Sequence, residues 1–291
     1  MRVSVDTGGT FTDFVACTRL GETHFLKRPS TPHDPAEAIL LGLSALEEQT
    51  GETVTRVDHG TTVATNAILE NKTAPTILVT NSGFEDLLLL GRQNREHLFA
   101  LEPTSRTLLL PRSQVLGIEG RLDAKGNELI PLAHPLQWIE MHRHRLEQTE
   151  SIAICLLHSC CNPVHERLLA AAIEQAFPEI FISNSHQIAN VPREYERAQA
   201  TVANALVQPI MHRYLGRLQS ARPKITINVM SSSGGLMDIH QARSFPCRTL
   251  LSGPAGGVVG AWSVGSRLTK NALLSLDMGG TSTDVAAGKD L

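Results

Sequence analysis

Val3-Ser-Val-Asp-Thr-Gly-Gly-Thr-Phe-Thr-Asp-Phe-Val-Ala16 returns, without gaps, as Leu274-Ser-Leu-Asp-Met-Gly-Gly-Thr-Ser-Thr-Asp-Val-Ala-Ala287. Eight of the fourteen positions are identical. Apolar residues alternate with polar ones up to the aspartate, which is the period of a half-buried strand. Two glycines follow, and then a second alternating run. Each copy therefore reads as a β-hairpin, and two copies this far apart predict two lobes of similar build. Glycines in the turn let backbone N–H groups approach an anion closely. Thr10, Thr12, Thr281, Ser282 and Thr283 add hydroxyls. Asp6 and Asp277 would repel a phosphate directly. They make sense with a divalent cation between carboxylate and phosphate, Mg²⁺ with retained waters fitting best. No Gly-Lys-Ser/Thr follows either turn, so neither is a P-loop. A single copy of such a turn could be an ordinary hairpin with Asp and Thr as turn formers; its duplication favours the phosphate reading.

Outward from the first copy, strands and helices alternate. Asp34-Pro35 predicts a helix start, with Gly51 as its stop. A strand at 56–58 leads through His59-Gly-Thr-Thr62 into a helix over 63–70, and a buried strand follows at 76–80. Helix, strand, helix and strand recur at 135–148, 151–157, 164–177 and 180–183. A long amphipathic helix spans about 194–219, with a kink expected at Pro209. Residues 96–135 carry scattered Pro, Gly and charge and read as hairpins or loops. The pattern is that of an α/β protein with a largely parallel or mixed sheet.

Composition narrows the function. The chain has 291 residues, 42% hydrophobic and 19% charged, which is foldable, and a formal net charge of −3. That balance excludes the basic surplus of a nucleic-acid or anionic-membrane binder. Aromatics at 4% argue against base-stacking platforms. No apolar run approaches a membrane span, and the first residues lack signal-peptide regions. Five irregularly spaced cysteines are not a disulfide framework. The expectation is a cytoplasmic protein with no nucleic-acid or membrane partner.

The two hairpins make the chain resemble the actin, heat-shock chaperone and sugar-kinase ATPases. The wider wording is closer to one branch, the hydantoinase A/5-oxoprolinase family. The segments that carry this resemblance are Val5 to Asp13, His59 to Glu70, Gly91-Arg-Gln93, Leu156 to Ser159 with Asn162-Pro163 and His165-Glu166, Arg193 to Arg197, Ser252 to Val258, and Asp277 to Val285. The resemblance implies a ribonuclease-H-like (actin-like ATPase) lobe with a mixed sheet, plus the beginning of a second similar lobe. It places an N-terminal domain at 1–187 and the start of a second at 188–291. It implies ATP and Mg²⁺ as cofactors, a cyclic amide (hydantoin, 5-oxoproline or a related lactam) whose carbonyl is activated by phosphorylation, and a hydantoinase B-type partner in a hetero-oligomer. Family chains exceed about 600 residues, so this chain is expected to be an N-terminal fragment.

Site residues follow from the matched motifs. Asp6, His59, Arg92 and Asp277 are the catalytic candidates, with Asp6 and Asp277 holding the metal partly through water. Gly8, Gly9, Thr10, Thr12 and Asp13, with Gly279, Gly280, Thr281, Ser282, Thr283 and Asp284, would cradle the nucleotide. Thr61, Thr62 and Asn66 would face the substrate. His59 is the general acid/base candidate, since imidazole titrates near neutrality. His158, Cys160, Cys161 and His165 have poor spacing for tetrahedral zinc. Three rivals stand beside this reading: a small-molecule kinase of the same fold, a ketone carboxylase ATPase subunit, and a non-catalytic interaction fragment.

Overall fold

The computed structural model describes residues 1–31, 33–94, 99, 101, 107–268, 272–278 and 283–289. In chain order the first elements are β1 (Arg2–Thr7), β2 (Phe11–Cys17), β3 (Thr23–Pro29), α1 (Pro35–Thr50), β4 (Arg56–Thr61) and α2 (Val63–Leu69). Next come β5 (Thr76–Asn81), α3 (Leu87–Leu90), β6 (Val115–Ile118), β7 (Arg121–Leu122), β8 (Glu128–Ile130) and α4 (Pro135–Leu146). Then follow β9 (Ser151–Ile154), α5 (Val164–Ala176), β10 (Phe181–Asn184), α6 (Ser185–Ile188) and α7 (Glu194–Ala221). The chain continues with β11 (Thr226–Met230), β12 (Leu236–Asp238), α8 (Ile239–Ser244), α9 (Ser252–Gly265), β13 (Ala272–Met278) and β14 (Thr283–Lys289). Contacts divide it into two compact units, 1–72 with 210–291, and 73–209. The boundary expected between residues 187 and 188 is one of sequence domains and falls at α6, whereas the contact units join segments distant in sequence.

The first unit holds a six-stranded sheet in the order β12-β11-β4-β1-β2-β3. β1 to β3 are antiparallel neighbours, while β4 runs parallel to β1 and β11 parallel to β4. The order 3-2-1-4 followed by the next parallel strand is the mixed sheet of a ribonuclease-H-like lobe, with residues 73–209 inserted before β11. Alternation on β1 buries Val3, Val5 and Thr7 and turns Ser4 and Asp6 to the other face. Val5 pairs with Phe14 across the hairpin, and a Cβ at Gly42 of α1 would stand 2.1 Å from the Phe14 ring. The ring thus lies against helix backbone that only glycine leaves open. α1 starts as its sequence predicts: the Asp34 carboxylate accepts from the Ala36 N–H at 3.3 Å, and Pro35 begins the helix. Gly51, at φ 69°, closes it by donating to the Glu47 carbonyl.

The second hairpin, β13–β14, repeats the first in register. Asp277 faces Asp284 as Asp6 faces Asp13. The Gly-rich segment before it is a helix, α9, entered through Leu251 at φ 60°.

The second unit carries a four-stranded sheet, β10-β9-β5-β6, parallel throughout. Its central strands are buried along their whole length, as a parallel sheet covered on both faces requires. Ile77, Val79, Ile139, Ile152, Ile154 and Leu169 pack in one core cluster. The stretch 96–135, expected as hairpins or loops, supplies the short edge strand β6 and the small hairpin β7–β8; residues 96–98, 100 and 102–106 lie outside the described residues. α7 runs unbroken through Pro209. Among the described residues, no helix is long and apolar enough to cross a membrane.

Candidate functional site

The first glycine turn is tied down from below. The Gly8 N–H donates to the Phe11 carbonyl at 3.0 Å, and the Ser30 hydroxyl donates to the Gly8 carbonyl at 2.8 Å. Thr12, expected among the phosphate ligands, is buried, and its hydroxyl meets that of Ser30 at 3.0 Å. Asp13 pairs with Lys27 at 3.0 Å. Gly8, Gly9 and Thr10 remain at the turn's surface.

Asp6 lies on the face of β1 opposite Val5 and Thr7. Beside it on β4 is Gly60, where a Cβ would stand 3.0 Å from the Asp6 Oδ1. Surrounding protein first, then the charges of Asp13 and Asp277, raise the Asp6 pKa above the ordinary carboxylate value. α9 lies beside Asp277: a Cβ at Gly257 would be 3.8 Å from the Asp277 Oδ2, and the Ser252 hydroxyl donates to the Thr61 carbonyl at 3.1 Å. Thr283 and Asp284 sit on β14. Gly279, Gly280, Thr281 and Ser282 lie outside the described residues.

This donor set fits Mg²⁺. Two mutually repelling carboxylates, with a glycine leaving room beside one, suit a small hard cation that keeps water and shares phosphate oxygens. Among the described residues no cluster of three or more His, Cys, Asp or Glu could hold a metal alone. Cys160 and Cys161 stand with their sulfurs 3.9 Å apart, and no cysteine among the described residues is in a disulfide.

The opposite face of the same sheet carries a different chemistry. His59, Thr61 and Val57 share the buried face of β4. His59 is fully buried, with Nε2 at 2.5 Å from the Tyr214 hydroxyl and Nδ1 at 3.4 Å from the Val5 carbonyl. A carbonyl needs a donor, which assigns the proton to Nδ1, so Nε2 accepts from Tyr214. Burial pushes the His59 pKa down to about 4, and burial raises that of the Tyr214 phenol. A neutral, fully bonded interior imidazole is not the solvent-facing acid/base that titration near neutrality led us to expect. The period-2 pattern of β4 already placed His59 with Val57, which was the available signal.

Thr62 and Asn66 do reach a cavity. It measures about 660 Å³ and opens at the carboxyl ends of the parallel strands β1 and β4. Gly8 and Gly9 also line it. The Thr62 N–H and hydroxyl donate to the Thr7 carbonyl at 3.2 and 3.1 Å, and Asn66 Nδ2 donates to the Thr62 hydroxyl oxygen at 3.2 Å. Thr61 lies beneath, its hydroxyl oxygen accepting from the Val63 N–H at 3.2 Å. The far wall is α7, through Arg213, Tyr214 and Arg217. Sequence reasoning missed these three, although Tyr214 follows Ile210 at helical spacing. Arg92 belongs to the second unit, where it pairs with Glu196. The remaining motifs there are interior braces. Buried Glu166 accepts from the Leu156 N–H at 3.0 Å, the Ser185 hydroxyl at 2.5 Å and His186 Nδ1 at 2.6 Å. Buried Arg197 donates to the carbonyls of Val191 and Leu156 at 2.8 and 2.9 Å.

Two family models match the chain: the hydantoinase/oxoprolinase N-terminal region over residues 2–177, and hydantoinase/oxoprolinase over residues 197–290. The chain belongs to the hydantoinase/oxoprolinase family. It is similar to the caprolactamase subunit alpha of Pseudomonas jessenii, at 31% identity over 99% of this chain and 43% of that protein. It is likewise similar to the 5-oxoprolinase of Saccharomyces cerevisiae, at 30% identity over 98% of this chain and 26% of that protein. Among solved structures, a nucleotide-free acetone carboxylase matches with a TM-score of 0.83 at 26% identity, covering 99% of this chain and 44% of the other. This family member therefore spans less than half the length of each of these proteins. Its first unit is an actin-like ATPase lobe with the start of a second.

Proposed function

We propose that this chain is the phosphate-binding part of an ATP-dependent enzyme subunit that activates the carbonyl of a cyclic amide for ring opening, working with a hydantoinase B-type partner. The observation that supports the reading is the pair of hairpins in one register, with α9 beside Asp277 through Gly257 and bonded to the end of β4 through Ser252. Bound Mg²⁺ would neutralise phosphate charge between these carboxylates. The N–H groups of Gly8 and Gly9 and the Thr10 hydroxyl would receive phosphate oxygens from the first lobe, and the turn at 279–282 from the second. Thr62 and Asn66 would orient the amide at the cavity mouth. Buried His59 and Tyr214 would act through position, fixing the ends of β1 and β4 beneath the turn.

An amide carbonyl resists water. Transfer of the γ-phosphoryl group to its oxygen, with ADP leaving, makes the carbon electrophilic. Water then adds to that carbon and the C–N bond breaks, leaving the amine and an acyl phosphate, which a second water hydrolyses to inorganic phosphate and the open-chain amino acid. The 5-oxoprolinase and caprolactamase names of the relatives support this substrate class over a ketone.

The test is ATP-dependent lactam hydrolysis by the subunit assembled with its partner. Asp6→Asn is expected to lower the rate about 100-fold or more with the fold intact by circular dichroism. Full activity in that variant would refute the metal role. Accumulation of a stable phosphorylated product would favour a kinase instead.

A further inference from the structure

The turn between β9 and α5 carries two adjacent thiols that no step of the proposed reaction uses. Ser159, buried at its base, has its hydroxyl 3.0 Å from that of Ser185. His158 enters the turn in the left-handed region, at φ 59°. Its carbonyl accepts from the Cys161 and Asn162 N–H groups at 2.9 and 3.1 Å, which fixes the backbone across the residues that bear sulfur. Cys160 is half-buried and Cys161 exposed, with Sγ atoms 3.9 Å apart. A disulfide holds its sulfurs at about 2.05 Å, so a closure of about 2 Å joins them.

A second turn packs against this one. Asn162 Nδ2 donates to the Gly126 carbonyl at 2.8 Å, and Cys161 Sγ donates to the Ala124 carbonyl at 3.6 Å. A Cβ at Gly126, where φ is 84°, would stand 2.9 Å from the Asn162 Cβ. The seat of the β7–β8 turn therefore uses the hydrogen of the Cys161 thiol, which a disulfide lacks. Cys160 raises the Cys161 pKa above the ordinary thiol value, first by hydrogen bonding and then by its charge. Cys161 thus keeps its proton, and Cys160 is the sulfur that attacks first. Burial pushes the Cys155 thiol up to about 11 and keeps it out of exchange. Adjacent Cα atoms lie about 3.8 Å apart, below the span of about 4.4–6.8 Å in ordinary disulfides. A ring closed between them is strained and easily reduced, which suits a switch and not a staple.

We propose that Cys160 and Cys161 form a reversible oxidation site, closed by low-molecular-weight disulfides such as glutathione disulfide. The Cys160 thiolate attacks one sulfur of the reagent, a mixed disulfide forms, and one glutathione thiolate leaves. Cys161 then gives up its proton and attacks Cys160 Sγ, and the second glutathione leaves as the thiol. Two protein thiols are oxidised, and the disulfide of the reagent is reduced to two thiols. Closure takes the Cys161 hydrogen from the Ala124 carbonyl and loosens the β7–β8 turn.

The test adds glutathione disulfide to the full chain and maps the peptide holding residues 160 and 161 by mass spectrometry with fragmentation. The expected product lacks two hydrogen atoms across this pair, carries no glutathione, and regains both thiols in excess reduced glutathione. Cys161→Ser is expected to stop at the mixed disulfide, with one glutathione kept on Cys160. Hydrogen exchange at 124–127 should quicken about tenfold in the oxidised chain and return on reduction. Two unreacted thiols, a glutathione that stays on the unmodified chain, or exchange at 124–127 that is the same with and without the ring would overturn the proposal.

Discussion

The two hairpins share a strand register and most of their residues, yet differ in what covers them. In the first, Val3, Val5 and Phe14 are 0%, 2% and 1% exposed. The aligned Leu274, Leu276 and Val285 of the second are 70%, 63% and 62% exposed. The first copy has strands on both sides and α1 packed over Phe14. The second pairs with itself among the described strands, and α9 covers its opposite face, with Trp262 over Gly288 and Leu273 over Gly265. A strand-turn-strand motif thus specifies its own pairing, but burial comes from partners far away in the chain. What the copies keep in common is the face that bears the aspartate, which is the face the chemistry needs.

The comparison breaks first, if it is false, at Phe14. Truncation to Ala removes a ring enclosed by α1 and should cost about 3–5 kcal/mol. Val285→Ala, at the aligned position, should stay within about 0.5 kcal/mol. Urea unfolding of both variants reads the difference. Similar losses would mean that the second hairpin is covered after all.

Much of this was legible in the residues, for identifiable reasons. The alternation of Val3 and Val5 with Ser4 and Asp6 fixed the faces of β1, and the fixed offset between the copies fixed the shared register. Asp34, Pro35 and Gly51 marked the ends of α1 through local bonds that depend on a few neighbours. Thr62 and Asn66 stood out because a strand end followed by a helix start is a recognisable ligand position, and both line a cavity. Long-range partners were harder. β6 has four residues, one of them Gly117, too few for a period to emerge. Arg197, in the charged stretch Arg193 to Arg197, is an interior brace, because its partners are carbonyls that carry no sequence signal. Tyr214 was concealed by the same limitation: its partner His59 lies 155 residues away.

That pair gives the next test. The unfolded chain takes up a proton at an ordinary imidazole near pH 6.5, whereas folded His59 resists protonation down to about 4. Between those values the unfolded state binds more protons, so stability falls as the pH drops through the window. The loss should reach about 2–3 kcal/mol near pH 4.5 and be absent above pH 7. His59→Gln, which keeps an acceptor for Tyr214 but does not titrate, should flatten the slope. Val285→Ala in the second hairpin leaves His59 in place and should leave the slope unchanged. An equal acid slope in His59→Gln would assign the proton uptake elsewhere.

The smallest effect concerns the aspartates themselves. Asp6 is raised above its ordinary value, so on acidification the folded chain takes up this proton before the unfolded one does. Its charge therefore lowers stability above the carboxylate range, and that penalty is relieved as the pH falls. Asp6→Asn should raise the melting temperature at pH 7 by a few degrees, with the gain fading toward pH 3. Asp277→Asn removes a weaker contribution to the same repulsion, after burial and Asp13, and should give a smaller gain with the same pH dependence. A site that stabilises the fold when its carboxylate is removed holds that charge for a ligand. Magnesium with inorganic triphosphate should then raise the melting temperature of the unmodified chain and leave that of Asp6→Asn unchanged, reversing the order of the two proteins. If the order does not reverse, the two faces of the hairpins do not share one cation.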